Sequence, residues 1–352
     1  MKQTVALLFG GKGEEHGVSC RSAAAVFERL RKSKYRVIPI GIDRGGDFFF
    51  YRGDMAAVNE ATLSQRRDLL SETFPMRLGA RSGFFSEGEV LPVDVAIPVL
   101  HGRGGEDGEV QGLLSSAGIP FVGCGLMASA VCFDKEYTKC MAASVGVPTV
   151  RGVTLFPSET LAEAEARVYA QFSEREALFI KPARQGSSFG ASVAMDRASF
   201  GKSRDLAIAY GNALAEEYIG EKRELEVAFL QREGKNLFAG PGEILSGAPF
   251  YSYKEKYEKD GARLCLRAEI SDRVRRELLS YCEALVSALD LCGLARLDFF
   301  LTPEGRLYFN EVNTLPGFTE TSLYPRLWEA EGLSFSSLPD ILIGEALARA
   351  SG

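Results

Sequence analysis

Two apolar strands that run into glycine-rich loops constrain the fold of this chain most. Thr4–Phe9 leads into a pair of glycines, and Val93–Leu100 leads into a second glycine-rich loop. Between them, Ser19–Leu30 carries apolar residues at helical spacing, and Val37–Ile42 is a further apolar strand. This order of strand, loop and helix is typical of parallel strands joined by crossover helices, so the chain is expected to be α/β. Ligands of such sheets bind at the carboxyl ends of the strands, where both glycine loops lie.

The rest of the chain continues to mix helices and strands. Two short helices are predicted between Gly125 and Gly146, and Ala177–Lys181 reads as a strand. Ser271 can cap a long amphipathic helix. Ala295–Phe300 and Leu307–Asn313 read as the two strands of a hairpin. A length of 352 residues suggests two or three domains.

Composition excludes several classes of protein. The net charge of -6 comes without a basic stripe, so no nucleic-acid partner is expected. No apolar run approaches the roughly 20 residues of a membrane helix, and the first residues read as a strand, not as a signal peptide. The chain has only 2 histidines, which rules out a three-histidine zinc site. Its 7 cysteines form no C-x-x-C pair and are expected to be buried thiols in the reducing cytoplasm.

The stretch K-P-A-R-Q-G-S-S-F-G, from Lys181 to Gly190, has two interpretations. Its G-S-S-F-G part fits the nucleophile elbow of serine hydrolases, centred on Ser188. That interpretation requires a histidine downstream and a helix after the turn, but both histidines precede Ser188 and the following residues alternate like a strand. The alternative is a loop whose backbone N–H groups face phosphates beside the charge of Lys181. The phosphate interpretation is favoured.

The predicted hairpin supplies a candidate metal site. A period of two places Phe309, Glu311 and Asn313 on one face of the second strand, and Arg296 with Asp298 on one face of the first. Asp298, Glu311 and Asn313 can therefore converge as an all-oxygen ligand set, which selects Mg²⁺ or Mn²⁺ over zinc.

These motifs resemble those of the ATP-grasp superfamily, and others narrow the resemblance to the D-alanine–D-alanine ligases. The motifs are F-G-G-K-G-E-E-H-G-V-S, L-H-G-R-G-G-E-D-G-E-V-Q-G, F-D-K ending at Lys135, K-P-A-R-Q-G-S-S-F-G, F-Y-S-Y-K-E-K-Y, R-L-D-F-F and N-E-V-N-T-L-P-G-F-T. They occur in the family's order over nearly the whole chain. The resemblance implies a Rossmann-like parallel sheet followed by the two-lobed ATP-grasp fold. The implied domains are an N-terminal substrate-binding domain at 1–124, a central subdomain at 125–217, and a C-terminal subdomain at 218–352 with a mobile loop at 246–262.

The resemblance also implies the reaction. ATP phosphorylates the carboxylate of a first D-alanine, and the amine of a second D-alanine attacks the acyl phosphate to give a peptidoglycan precursor. Mg²⁺ or Mn²⁺, as two ions, would accompany the ATP, and the enzyme would be a homodimer. By motif position, the catalytic residues would be Glu15, Ser187, Tyr257, Arg296 and Gly317, and the substrate-binding residues would be Val18, His101, Ser322 and Leu323. The nucleotide would be bound by Lys135, Lys181, Ser188, Glu216, Glu217, Tyr218, Ile219, Glu224 and Lys256, and the metal by Asp298, Glu311 and Asn313.

Within these roles, Glu15 would hold the ammonium of the first substrate in a network with Ser187 and Tyr257. Arg296 and the Gly317 N–H would stabilise an oxyanion, and His101 would lie near the substrates.

Several alternatives stay open at this stage. Similar stretches occur in the D-alanine–D-serine ligases of vancomycin resistance, so D-serine is an alternative second substrate. Glu320-Thr321 stands where the family often has T-S-H-S-L, and this difference concerns the second substrate. A ligase for another acid, or a nucleotide-binding protein without activity, would share part of the pattern. Glu106 and Asp107 can be interpreted as caps of the helix that begins near Glu109.

Overall fold

The computed structural model describes residues 2–79, 81–245 and 263–351. Within these ranges the chain forms three β-sheets with helices packed against them, which confirms the predicted α/β class. The predicted loop at 246–262, with Lys256 and Tyr257, lies outside the described residues.

The N-terminal sheet contains β1 to β7. Their bounds are Gln3–Gly10, Tyr35–Ile42, Phe48–Tyr51, Leu70–Leu78, Arg81–Ser86, Glu89–Pro92 and Val95–Pro98. The order in the sheet is β6-β5-β4-β3-β2-β1-β7. β1 pairs in parallel with β2 and β7, as the strand–loop–helix pattern predicted. β3 to β6 extend this parallel part as an antiparallel series, which the sequence analysis did not predict.

Three helices accompany the N-terminal sheet: α1 at His16–Arg29, α2 at Thr62–Gln65 and α3 at Glu109–Ser116. α1 follows directly from the glycine loop after β1 and buries Cys20, Ala23 and Val26 in the core. α1 and α3 therefore both begin beside the carboxyl ends of the parallel strands. Residues at the start of α1 and in the loop before α3 lie on the side of the sheet where ligands bind.

The central sheet contains β8 at Gly152–Leu155, β9 at Leu178–Pro182, β10 at Ser192–Ala194 and β11 at Ala213–Glu217. Its order is β10-β9-β11-β8, and all its pairs are antiparallel. α6 at Leu161–Tyr169 and α7 at Arg197–Ile208 pack on it, each beginning with a capping box. This unit has its own apolar core, in which Phe200 is fully buried.

The C-terminal sheet contains β12 to β16, in the antiparallel order β14-β13-β12-β15-β16. The strands are Arg223–Arg232, Lys235–Leu245, Arg263–Cys265, Leu294–Leu301 and Leu307–Asn313. The remaining helices are α4 at Leu126–Phe133, α5 at Lys135–Ser144, α8 at Asp272–Ala288, α9 at Leu323–Ala330 and α10 at Leu338–Ser351. α8 begins after Ser271, whose hydroxyl accepts the Val274 N–H at 3.3 Å as predicted. None of the described helices combines the length and the apolar character that a membrane crossing requires.

A β-bulge in β16 corrects one detail of the predicted hairpin. Glu311 pairs with Asp298, but Phe309 pairs with Phe299, so Asn310 is an extra residue between them. Because neighbouring residues of β15 point to opposite faces, Phe309 and Glu311 do as well. Phe309 is fully buried in the core, whereas Glu311 is only partly buried. The expectation that Phe309 shares a face with Glu311 is wrong, because the bulge interrupts the period of two.

Candidate active site

Two neighbouring cavities contain most of the predicted site residues. The first cavity lies between the central and C-terminal sheets and is lined by residues such as Lys181, Tyr218 and Glu224. The second cavity lies against the N-terminal sheet and is lined by residues such as Glu15 and Ser322. Both are lined by one common set: Lys135, Gln185, Gly186, Ser187, Glu226, Ile244, Arg296 and Glu311. A molecule in one cavity would therefore meet a molecule in the other at these residues.

Three charged side chains form a buried cluster beside the first cavity, and two of them, Lys181 and Glu216, line it. Lys181, at the end of β9, places Nζ 2.9 Å from Glu216 Oε2, and Lys139 of α5 bonds to Glu216 Oε1. Burial opposes ionisation of Glu216, but the charges of Lys139 and Lys181 outweigh it and lower the pKa of this carboxyl. Burial lowers the pKa of Lys139 to about 8, although Glu216 acts in the opposite direction. The cluster holds Lys181 beside the phosphate-loop candidate.

Lys135 connects α5 to the same loop. Its Nζ donates to the Gln185 carbonyl at 2.8 Å and lies 3.2 Å from Glu311 Oε2. Asp134 caps α5 through the Glu136 N–H and also bonds Arg184 Nε at 2.6 Å. The loop from Arg184 to Gly190 is thus attached at two points to the start of α5, and Lys135 is held in the wall common to both cavities.

The backbone of this loop has left-handed residues in succession. Ser187 and Ser188 have φ values of 51° and 61°, which are uncommon for residues other than glycine. Gly190 has φ 70°, and a Cβ there would lie 2.8 Å from the Tyr210 ring. Ser187 Oγ donates to Glu15 Oε1 at 2.7 Å, so the loop contacts the N-cap residue of α1. Backbone strain of this kind is concentrated at functional sites.

Three titratable side chains lie together in the second cavity. Glu15 and His101 are buried, and His101 Nε2 lies 3.4 Å from Ser22 Oγ. Burial lowers the pKa of His101, while Glu15 acts to raise it. Burial, together with the charge of Glu15, raises the pKa of Glu106 to about 8.

The predicted capping role is wrong for Glu106. Gly108 occupies the N-cap of α3, and Asp107 Oδ1 accepts the Glu109 N–H at 3.2 Å. Glu106 instead accepts the Gly102 N–H at 2.6 Å, because the glycine loop turns back towards it. Its carboxyl therefore belongs to the wall of the second cavity.

Arg296 lies between two carboxylates. Its Nε and Nη2 donate to the two oxygens of Asp298 at 2.8 and 2.7 Å, and Nε also lies 2.9 Å from Glu226 Oε2. Burial opposes the charge on Arg296, but Asp298 and Glu226 outweigh it and raise its pKa well above the ordinary value. The guanidinium is therefore permanently charged and fixed where the two cavities meet.

The candidate metal residues lie on adjacent strands. Asp298 of β15 is directly opposite Glu311 of β16, and Arg296 is opposite Asn313. Asn313 Oδ1 accepts the Leu315 N–H at 3.0 Å. Among the described residues no group of three His, Cys, Asp or Glu is arranged to hold a metal ion, so two carboxylates and an amide are what this site offers. This donor set fits Mg²⁺ with water and phosphate oxygens as its other ligands.

A group of hydroxyls lies at the other end of the second cavity. Ser322 Oγ accepts the Thr319 N–H at 3.0 Å and lies 2.8 Å from Thr319 Oγ1, which is 3.1 Å from Thr321 Oγ1. Ser322 is the N-cap of α9, so the Leu323 N–H is at a helix N-terminus, where anions are favoured. Gly317 and Val18 line the same cavity.

Several residues that the fold brings to the site were not predicted from the sequence. Lys222 extends over the rings of Tyr218 and Phe300, and Asn310 Oδ1 accepts a hydrogen bond from Lys181 Nζ at 3.1 Å. Lys139 lies one helical turn from Lys135, a spacing that could have identified it. The predicted residues that line the two cavities are Glu15, Val18, His101, Lys135, Lys181, Ser187, Ser188, Glu216, Glu217, Tyr218, Ile219, Glu224, Arg296, Asp298, Glu311, Asn313, Gly317, Ser322 and Leu323.

Comparison with known protein families gives two matches that together span most of the chain. The model described as "D-ala D-ala ligase N-terminus" matches residues 4–124, and "D-ala D-ala ligase C-terminus" matches residues 141–344. The D-alanine–D-alanine ligase of Caldicellulosiruptor bescii is 36% identical, over 99% of this chain and 96% of that protein. The corresponding ligase of Sodalis glossinidius is 40% identical over the same shares.

Two solved structures, a D-Ala:D-Ser ligase and a D-alanine–D-alanine ligase, are similar to this chain over nearly its whole length. The VanG D-Ala:D-Ser ligase from Enterococcus faecalis superposes with a TM-score of 0.88 at 33% identity, covering 98% of this chain and 100% of that one. The D-alanine–D-alanine ligase from Coxiella burnetii superposes with a TM-score of 0.84 at 29% identity, covering 99% and 95%.

Proposed function

The chain belongs to the D-alanine–D-alanine ligase family, and from this premise we propose that it joins two D-alanines at the expense of ATP. The reaction proceeds through an acyl phosphate of the first D-alanine, and the product serves peptidoglycan precursor synthesis.

One observation carries this proposal: the two cavities meet at a wall of charged groups that includes Lys135, Arg296 and Glu311. Transfer of a phosphoryl group requires the protein mainly to position two reactants and to neutralise charge between them. A lysine-rich cavity for a nucleotide and a second cavity for amino acids, joined at an arginine, meet that requirement.

On the nucleotide side, Lys135 and Lys181 bind the phosphates. The base and ribose lie against Glu217, Tyr218, Ile219 and Glu224, which line the first cavity. Asp298, Glu311 and Asn313 hold Mg²⁺ or Mn²⁺, as two ions by resemblance to the family, and this metal supplies charge neutralisation at the phosphates. Glu216 keeps Lys181 in position through their 2.9 Å contact.

On the amino-acid side, Glu15 binds the ammonium of the first D-alanine, with its carboxylate oriented by Ser187. Arg296 and the Gly317 N–H face the oxygen that becomes negatively charged when the amine attacks. Ser322 and the Leu323 N–H hold the carboxylate of the second D-alanine. Lys256 and Tyr257, by resemblance to the family, act on the transferred phosphate and in the Glu15 network.

D-serine is the second candidate for the amine substrate. The superposition on the VanG D-Ala:D-Ser ligase and the hydroxyls of Thr319, Thr321 and Ser322 favour testing it. D-alanine remains the proposed substrate, because the curated relatives at 36–40% identity are D-alanine–D-alanine ligases.

The test measures ADP release with Mg-ATP and D-alanine, together with mass spectrometry of the product. We expect ADP and D-alanyl-D-alanine to form in equal amounts, and L-alanine to give none. Parallel reactions with D-alanine plus D-serine or D-lactate identify the preferred second substrate from the product masses. Absence of D-alanine-dependent ADP release from the folded protein would refute the proposal.

Replacement of Lys139 by methionine tests the nucleotide side. We expect the KM for ATP to rise about tenfold, because Glu216 loses one of the two ammonium groups that fix it and therefore holds Lys181 in a less defined position. The KM for D-alanine should stay near its wild-type value. Steady-state kinetics at varied ATP measures this, with the exposed Lys202→Met variant as a control. An unchanged KM for ATP would mean that Lys139 does not support the nucleotide site.

We further propose that the enzyme is a cytoplasmic homodimer. The substrate ATP and the free thiols of the described cysteines are compatible with a reducing compartment. The dimer is an expectation from the family, and light scattering of the purified protein tests it.

A further inference from the structure

Glu226 is a buried carboxylate to which the family resemblance assigned no role. It lies on β12, opposite Asp298 of β15, and its side chain is only 7% exposed. Its Oε2 is 2.9 Å from Arg296 Nε, and it is one of the residues that line both cavities. A buried glutamate costs stability unless it is paired. The position of Glu226 beside Arg296 therefore indicates that the pair has a role in the site.

One nitrogen of Arg296, Nε, contacts both Glu226 and Asp298. Nε contacts Glu226 Oε2 at 2.9 Å and Asp298 Oδ1 at 2.8 Å, and Nη2 contacts Asp298 Oδ2 at 2.7 Å. The two carboxylates therefore bind one edge of the guanidinium. Arg296 also lines the second cavity, so its guanidinium can donate to an oxyanion there.

The two carboxylates differ in what else they do. Asp298 is a proposed metal ligand, and a carboxylate oxygen that binds a cation becomes a weaker partner for arginine. Glu226 is outside the proposed metal set, so its contact with Nε does not compete with the metal. With a metal on Asp298, Glu226 would be the carboxylate that keeps Arg296 oriented.

We propose that Glu226 is a positioning residue, which holds the Arg296 guanidinium in place for the oxyanion while Asp298 serves the metal. This inference rests on the proposed ligase function and on the role of Arg296 within it. It assigns to Glu226 an effect on the chemical step, exerted through Arg296, and no direct contact with either substrate.

The chain offers a matched control in the same sheet. Glu243 of β13 is likewise buried and paired with an arginine, with Arg223 Nε and Nη2 at 2.7 and 2.6 Å from its two oxygens. Glu243 is not among the lining residues of either cavity. Replacing Glu243 removes a buried ion pair of the same type without touching the site, which separates loss of stability from loss of function.

The experiment compares Glu226→Ala and Glu226→Gln with Glu243→Ala and Glu243→Gln. For Glu226→Ala we expect kcat to fall about 10- to 100-fold, a typical effect of losing a residue that orients a site group, while the KM values for ATP and D-alanine change little. Glu226→Gln keeps an oxygen acceptor for Nε and should recover part of the loss. The Glu243 variants should keep the wild-type kcat per folded molecule.

A binding measurement provides a readout independent of turnover. A phosphinate analogue of D-alanyl-D-alanine presents a tetrahedral oxyanion, and its affinity is measured by calorimetry with Mg-ADP. We expect Glu226→Ala to weaken this affinity by a factor similar to the fall in kcat, and to leave the affinity for Mg-ADP alone unchanged. If Glu226→Ala does not fold, the comparison of Glu226→Gln with Glu243→Gln tests the positioning role instead.

The outcomes separate the two proposals. An active wild type with Glu226 variants that behave like the Glu243 variants would overturn the positioning role and leave the ligase function intact. A wild type without D-alanine-dependent turnover and without phosphinate binding would refute the ligase function itself, and the positioning role with it.

Discussion

Replacing Arg296 with alanine is expected to lower kcat about 10²- to 10³-fold, or about 3–4 kcal/mol in transition-state free energy, while ATP still binds. The guanidinium is fixed by contacts of 2.7 to 2.9 Å to Asp298 and Glu226, so it needs no reorganisation when charge develops on the substrate oxygen. Loss of such a fixed donor affects the transition state more than the bound substrates. Steady-state kinetics and calorimetry with a non-hydrolysable ATP analogue measure the two effects separately.

Two further variants distinguish a loss of catalysis from a loss of folding. Removing Arg296 leaves two buried carboxylates without their cation, which costs about 3–5 kcal/mol of stability in comparable cases. Arg296→Lys keeps the charge but lacks the planar fork, so it should fold and still show a large loss of kcat. Arg223→Ala removes an arginine from a similar pair on the same sheet and should keep normal kcat. A kcat within threefold of wild type for Arg296→Lys would contradict the oxyanion role.

Replacing Glu311 with glutamine is expected to lower kcat about a thousandfold at ordinary Mg²⁺ concentrations, which corresponds to several kcal/mol of lost charge stabilisation. Glu311 contacts Lys135 at 3.2 Å and stands opposite Asp298, so its charge acts on Lys135 and, in the proposed site, on the metal. The amide keeps the size of the side chain and removes only the charge.

Metal affinity provides the second readout for Glu311. Titration of Mn²⁺ into the protein with a non-hydrolysable ATP analogue, followed by electron paramagnetic resonance, should show weaker binding in Glu311→Gln than in Glu243→Gln. Higher Mg²⁺ should restore part of the activity. Equal Mn²⁺ affinity in the two variants would exclude Glu311 as a ligand.

Sequence patterns predicted β1, β2, β7, β9 and the hairpin of β15 and β16, the charged loop, and the convergence of Asp298 with Glu311, because these depend on local alternation. Phe309 was assigned to the wrong face because the bulge at Asn310 appears only when two strands are paired. Lys139 and Glu226 were missed for a related reason. Their partners, Glu216 and Arg296, lie 77 and 70 positions away along the chain, so the contacts themselves are not visible in the sequence, although the spacing of Lys139 from Lys135 is. Glu106 resembled a helix cap because it precedes α3 in the sequence. The direction of its side chain depends on how the glycine loop turns, and this turn is seen only in the structure.

The bulge in β16 also has a consequence for how this strand tolerates changes in length. A regular strand presents only every second residue to a cavity, yet Asn310 and Glu311 are consecutive and both line the first cavity. Asn310 is therefore not paired with a residue of β15, and its side-chain oxygen accepts a hydrogen bond from Lys181. Deleting Asn310 would restore regular alternation and leave Glu311 opposite Asp298. We expect a single-residue deletion at this position to preserve the pairing of the sheet and to remove the Asn310 side chain, with its hydrogen bond to Lys181, from the first cavity.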